Sequence, residues 1–396
     1  MADDDGTPIL RPREERGRFS VARLARQWYV ALESRRLRRG PVAVTVLGLP
    51  LVLFRDGSGR PAALLDRCPH RNVPLSLGAV EGGGLQCAYH GWRFAADGAC
   101  AHLPARAEGP EGAAARAAPR GVDFPCREQQ GFVWVWPTAR AEPGGEPAVE
   151  PYRIPGLETA GYAVGRLAYE LDGTLHAVLE NILDVPHTAF LHRGLFRSPE
   201  RTREIEVVVR RTAAGAEAEF LGEERPRGLA GRLLAPGGGT VTHVDRFLLP
   251  SIAQVEYGLG PRTHLIATHL LTPVGDHRTA GHLVVAARLP FPAWLVRGLF
   301  RAVALRLLEQ DRRMLRAQDA NVRRFGGERF ASTETDLLGG HIWALLRRAE
   351  RREREGPAGG ASGDSDGLVT GAPGGGPGAG PEETGPAVER RIRMRV

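Results

Sequence analysis

Apolar residues in the first third of the chain fall in short β-branched and aromatic runs cut by glycine and polar turns, the pattern of a small β domain. Val42–Phe54 is β-rich, Asp56-Gly57-Ser58-Gly59 is a turn, and Ala62–Leu65 resumes a strand. Phe132-Val133-Trp134-Val135-Trp136 is continuous, as a buried strand would be. Ahead of these runs, Val21–Ser34 reads as a helical or irregular entry. After Thr138–Pro151, rich in Pro, Gly and Glu, the pattern changes. A strand-like stretch at Tyr162–Leu171 precedes a helical segment at Thr174–Val185. Strand-like runs then recur at Ile205–Val209, Thr242–Leu248, Ile252–Tyr257, His264–Thr272 and His282–Leu289. A long helix over Ala293–Phe325 and another over Gly340–Arg352 close this half. Strands and helices are segregated, so the class is α+β.

At 396 residues the chain exceeds the usual single-domain size. The boundaries read as a mobile N-terminal segment over 1–25, a β domain over 26–138, a linker over 139–152 and a second domain over 153–352. Residues 353–396 read as a disordered tail, because Gly356–Pro386 is mostly Gly, Pro and Ala and buries too little to offset chain entropy.

Composition changes this picture only at its edges. Hydrophobic content of 42% and charged content of 25% are ordinary for a globular protein. No apolar run is long enough to span a bilayer, and the acidic start Met1-Ala2-Asp3-Asp4-Asp5 is not a secretory signal, so a cytoplasmic protein is expected. All 53 basic residues are Arg, against 46 acids, for a net charge of +7. They are spread along the chain without a stacking motif beside them, which reads as solvated faces and not as a nucleic-acid surface. Four Cys without a signal peptide do not make a disulfide framework, and Cys100 and Cys126 have no ligand-spaced neighbours.

Cys68 and Cys87 are different. Cys68-Pro69-His70 is followed, past Gly78 and Gly82-Gly83-Gly84, by Cys87-Ala88-Tyr89-His90-Gly91-Trp92. Two thiolates and two imidazoles on glycine-linked loops suit tetrahedral zinc or a mixed-ligand iron–sulfur centre. A second constellation lies in Glu180-Asn181-Ile182-Leu183-Asp184-Val185-Pro186-His187, with His192 five residues on. Asn181, Asp184 and His187 recur at intervals of three and share one helical face. Two imidazoles plus one carboxylate form a facial triad for iron, with positions left open. Asp311 supplies the carboxylate. It falls in the apolar stripe Phe300, Ala304, Leu307, Met314, Gln318, Val322, where an unpaired charge is costly unless it binds metal. Glu309, among arginines, reads as a solvated ion-pair residue, and Asp319 as a rival at the stripe's edge.

The first set resembles Rieske [2Fe–2S] proteins, and the second resembles the catalytic domain of Rieske non-heme iron oxygenases. The resemblance covers roughly residues 26–352. It implies that Cys68 and Cys87 hold one cluster iron and His70 and His90 the other. His187, His192 and Asp311 would hold a mononuclear Fe(II), with Asp184 bridging His187 to His90 of a neighbouring subunit beside Asn181. It further implies an all-β Rieske domain followed by a helix-grip, START-like catalytic domain, and a homotrimer. O2 is the co-substrate, a small organic molecule the substrate, and electrons come from NAD(P)H through a separate reductase or ferredoxin, since the chain lacks flavin and nicotinamide fingerprints. Two residues, not three, separate Asn181 from Asp184, which is similar to the monooxygenase and O-demethylase branch. An acidic ferredoxin would suit the Arg-rich surface. The alternative is an electron carrier or redox sensor without oxygenase chemistry. A di-iron reading through His176 and Glu180 requires two E-x-x-H motifs, which the sequence lacks.

Overall fold

The computed structural model describes residues 17–38, 40–104, 118–140, 146–193, 204–223, 241–260, 263–355 and 388–395. The chain divides into two compact units. The first contains Ala25–Arg153 and Thr272–Gly275; the second contains residues 17–24, Ile154–Leu271 and the chain from Asp276 onward.

The first unit is all β. Strands β1 (Tyr29–Glu33), β2 (Val42–Val46), β3 (Leu49–Arg55) and β4 (Pro61–Leu65) are followed by β5 (Ala79–Glu81), β6 (Gly84–Gln86), β7 (Arg93–Phe94) and β8 (Cys100–His102). Then come β9 (Asp123–Phe124), β10 (Cys126–Gln129) and β11 (Phe132–Val135). They form three sheets, ordered β1-β11-β10, β2-β3-β4-β9 and β5-β6-β7-β8. The aromatic run behaves as its composition predicts: all of β11 is buried. Tyr29 to Glu33 is not helical or irregular. It pairs with β11, Tyr29 opposite Val135, because β11 needs a ladder partner on each side. One apolar cluster gathers Leu51, Leu53, Phe124 and Val133, and a second gathers Phe54, Leu75, Phe94, Cys68 and Cys87.

The second unit is an eight-stranded sheet with helices on one face. Its strands are β12 (Ala163–Asp172), β13 (Glu204–Arg211), β14 (Gly215–Leu221), β15 (Val241–Leu248), β16 (Ile252–Leu259), β17 (His264–Gly275), β18 (Arg278–Arg288) and β19 (Val388–Arg395). The order is β12-β18-β17-β16-β15-β14-β13-β19. Helix α1 (Leu175–Leu183), the short α2 (His187–Phe190), α3 (Ala293–Arg324) and α4 (Gly339–Glu355) complete it. Thr174 caps α1 by accepting from the Ala177 N–H. The core joins the sheet's inner residues, such as Leu171, Phe247 and Leu283, to Leu179 of α1, Leu308 and Leu315 of α3 and Ile342 of α4.

Two expectations are corrected here. Residues 17–24 are not a mobile segment. Leu24 is buried in the core, and the Ser20 hydroxyl donates to Glu328 at 2.8 Å. The tail is not disordered throughout: 353–355 end α4, and Val388–Arg395 pairs with β13, Ile392 opposite Val207. Ile392 and Met394 alternate with exposed arginines, so the strand buries one apolar row and satisfies the β13 edge. Residues 1–16, 141–145 and 356–387, on which the rest of the segment, linker and tail expectations fall, lie outside the described residues. Strand β14, Gly-Ala-Glu-Ala-Glu-Phe-Leu, has no β-branched residue and so no strand signature. Its neighbours β13 and β15 impose it.

Candidate metal centres

In the β unit, Cys68–Val73 and Cys87–Trp92 fold into loops of the same design. The Cys68 N–H donates to Val73 O and Asn72 N–H to Cys68 O, at 2.9 and 2.8 Å. The Cys87 N–H donates to Trp92 O and Gly91 N–H to Cys87 O, at 2.8 and 3.0 Å. Each loop needs a left-handed residue at its fifth position, where Asn72 has φ 63° and Gly91 φ 69°. A Cβ on Gly91 would also sit 2.8 Å from the Pro104 ring.

These turns bury both thiols and leave His90 exposed. Burial pushes the Cys68 thiol up, the His70 and Arg71 N–H groups pull it down, and Cys87 beside it adds to the rise. Burial, with positive charge from His90 and Arg71, pushes the His70 imidazole down. The two imidazole rings stand 4.6 Å apart, and Trp92 stacks flat on His70 at 4.5 Å. His70 Nδ1 is buried with no hydrogen-bond partner. The four donors therefore form a thiol pair and an imidazole pair. Among the described residues no three of them gather within 4.8 Å, as one tetrahedral ion would require. Two pairs with an orphaned inward nitrogen fit a two-iron cluster.

In the catalytic unit two donors stand on helices and the third directly after one. Helix α1 ends at Leu183; Asp184, with φ −90° and ψ 113°, turns the chain, and Pro186 opens α2 at His187. His192 follows α2 and is buried. Asp311 comes from α3, between Leu308 and Leu315. The buried face of α3 runs through Val296, Ala304, Leu308 and Leu315. It is rotated from the stripe expected, since Met314 is 53% exposed. The rotation keeps Asp311 inside. Glu309 pairs with Arg312 at 2.6 Å and Asp319 with His277 at 2.7 Å, so neither competes as a donor.

His187 Nε2, His192 Nε2 and Asp311 Oδ1 make a triangle with sides of 3.3, 3.2 and 3.8 Å. A circle through them has a radius of about 2 Å, which is a first-row metal–nitrogen distance. Among the described residues this is the only group of three donors that could hold one ion. The Asp311 Oδ1 atom is buried and accepts no hydrogen bond. Behind the ring, His187 Nδ1 lies 3.2 Å from Asp184 Oδ2, and His192 Nδ1 lies 2.9 Å from Gln310 Oε1. Both partners are acceptors. They hold the proton on Nδ1 and aim each Nε2 lone pair at the centre. Burial pushes His192 down, but the Asp311 carboxylate and Gln310 beside it outweigh that and the net shift is upward. Without a cation, then, a proton is drawn into the triangle. Asn181 lies one turn back on α1 with no hydrogen bond to the donors among the described residues. Gln310 was not expected. It precedes Asp311 at the edge of the buried face, and only the tertiary contact reveals it.

A cluster-type donor set on a β unit and a facial triad on an α+β unit define a two-site iron oxygenase. Residues 27–119 match the family described as the Rieske [2Fe–2S] domain, and residues 171–352 match the vanillate O-demethylase oxygenase C-terminal domain. The oxygenase component of chloroacetanilide N-alkylformylase from Rhizorhabdus wittichii is 31% identical over 350 residues, spanning 83% of this chain and 95% of that protein. The oxygenase component of dicamba O-demethylase from Stenotrophomonas maltophilia is 38% identical over 191 residues, 46% of this chain and 52% of that protein. The crystal structure of dicamba monooxygenase bound to dicamba superposes with a TM-score of 0.69 at 24% identity, over 84% of this chain and 99% of that one. Pseudomonas putida CBB5 NdmA with caffeine gives 0.68 at 23% identity, over 84% and 93%. The chain belongs to the Rieske non-heme iron oxygenases, as an oxygenase component of the monooxygenase branch. Its cofactors are a Rieske [2Fe–2S] cluster and mononuclear iron. No helix among the described residues is long and apolar enough to cross a membrane.

Proposed function

We propose that Cys68 and Cys87 hold one iron of the cluster and His70 and His90 the other, and that His187, His192 and Asp311 hold the mononuclear Fe(II). The observation that carries this is the donor triangle of 3.3, 3.2 and 3.8 Å with both imidazole Nδ1 atoms facing acceptors. Three protein donors on one face leave positions for O2 and substrate. When bound, the cluster supplies electrons one at a time and the mononuclear iron supplies the open positions at which O2 is reduced. Asp184 and Gln310 fix the imidazole tautomers, and Asp184 keeps a second carboxylate oxygen for a neighbouring group. In a homotrimer that group is His90 of the adjacent subunit, exposed as such a contact requires. Asn181, three residues before Asp184, belongs to the same catalytic group in this reading.

The substrate we infer is a small aromatic or heteroaromatic molecule bearing an N- or O-alkyl group, and the donor a separate reductase or ferredoxin. For a methyl ether, one oxygen atom of O2 enters a methyl C–H bond and the other leaves as water, with two electrons and two protons consumed. The hydroxymethyl ether then releases formaldehyde and the free hydroxyl compound. Iron analysis tests the assignment: three irons per chain and a reduced-cluster EPR signal support it. Two irons with that signal would leave only an electron carrier.

A further inference from the structure

Helix α3 changes character at Glu309. From there onward its outward side is laced with ion pairs: Glu309 with Arg312 at 2.6 Å, Arg316 with Asp172 at 2.8 Å, and Arg323 with Asp319 at 3.5 Å. That is the ordinary make-up of a solvated helix face. Ahead of Glu309 the helix is different. The stretch 289–308 holds three arginines and no acid, and its apolar residues fall on both sides of the helix.

One side of this half is held by the protein. Val296, Ala304 and Leu308 are buried in the core, and Phe300 packs on Gly165 of the edge strand β12, where a Cβ would lie 2.4 Å from the ring. These four positions recur every four residues and fix the helix along the sheet. The opposite side is bare. Trp294 is 73% exposed, Leu295 44% and Leu305 45%, and Gly298 and Ala302 between them are exposed as well. A single exposed leucine is ordinary, but a strip carrying a tryptophan and two leucines over three turns is not. At 1.5 Å per residue it is about 16 Å long.

At 3.6 residues per turn, Arg297 and Arg301 lie on one flank of the strip and Arg306 on the other. All three are exposed and make no hydrogen bond or ion pair among the described residues. A second copy of the chain docking by the same face would set arginines against arginines, which disfavours self-association through it. An apolar strip with a tryptophan at its end, arginines on both flanks and no acid fits a surface that is apolar within and anionic at its rim. A bilayer containing acidic phospholipid has that layering. The strip enters the headgroup boundary, and the arginine stems lie along apolar surface with their guanidinium groups at the phosphates. Because the other side of α3 is packed on the sheet, the helix lies flat on such a surface and does not cross it.

We propose that residues 294–306 of α3 form a docking strip for an anionic membrane surface. The proposal does not depend on the metal assignments. Cosedimentation of the iron-loaded holoenzyme with lipid vesicles tests it. Vesicles of phosphatidylcholine with phosphatidylglycerol should bind at least about tenfold more tightly than phosphatidylcholine alone, and added salt should weaken that binding. Trp294→Gln with Leu295→Gln and Leu305→Gln should weaken it by about tenfold or more. Arg297→Gln with Arg301→Gln and Arg306→Gln should do the same and abolish the preference for phosphatidylglycerol. Arg316→Gln, in the ion-paired half, should leave binding unchanged. Iron content and melting temperature should stay at wild-type values in the apolar and arginine variants. No binding to the acidic vesicles, equal binding to both kinds, or undiminished binding by either triple variant would overturn the proposal. A melting temperature lowered in the apolar variant would overturn it too, because the chain itself would then cover the strip. So would a wild-type assembly that the same variant splits, which would assign the strip to a second copy.

Discussion

In the Rieske unit the candidate metal donors stand on two loops whose hydrogen-bond patterns match residue for residue, whereas in the catalytic unit they stand on, or just after, helices far apart in the chain. The loops need nothing but their own backbone and one left-handed residue each. The triangle needs α3 packed on the sheet, because Asp311 reaches His192 only through tertiary contact. A loop site is therefore a local object. A helix site inherits its geometry from the whole core, and its polar supports, Asp184 and Gln310, lie outside the donor set.

That difference can be tested by separating the two centres. The largest effect belongs to Asp311→Ala or His187→Ala. Each should lose one iron of three, keep the Rieske EPR signal and lower turnover by about a thousandfold or more. Joint loss of both metal signals would show that the centres are not independent. Asp184→Ala should leave three irons in place yet cut turnover by about a hundredfold, read by O2 uptake against iron content. Gln310→Ala should weaken mononuclear iron by about tenfold in a chelator competition, with the cluster unaffected. In the other unit, Gly91→Ala should cost about 1–2 kcal/mol and lower cluster loading, since it puts a Cβ on a left-handed residue and against Pro104.

The smallest effect is a pH slope. Burial pushes His243 down, but Asp245 and Glu223 outweigh it, so its folded value lies above the ordinary 6.5. The stability it contributes is complete below 6.5 and is lost as pH rises through the raised value. The melting temperature of the catalytic unit should fall over that window, and His243→Gln should remove this part of the slope. An identical slope in the variant would place the titration elsewhere.

How much of this was legible depends on the range of the forces involved. Phe132–Val135 announced itself as a strand because burial on both faces demands a continuous apolar run. Asp311 was legible as a charge among apolar helix positions, although the true face of α3 is rotated and exposes Met314. Gln310, β14 and β19 were not legible. A glutamine beside a core position, an Ala-Glu alternation and a basic terminal segment each fit a solvated surface equally well until a partner is present.

By itself, then, the sequence determined the class, because ligand chemistry is carried by residue type and short spacing: C-x-H and C-x-x-H on loops, two histidines around a short helix. Tertiary structure decided that Gln310 holds the His192 imidazole, which face of α3 turns inward and what closes the β13 edge. It also decided that Tyr169 and His269 meet at 2.6 Å. Those are contacts between residues about a hundred or more positions apart. Their energy depends on the packing that brings them together, and no local pattern encodes it.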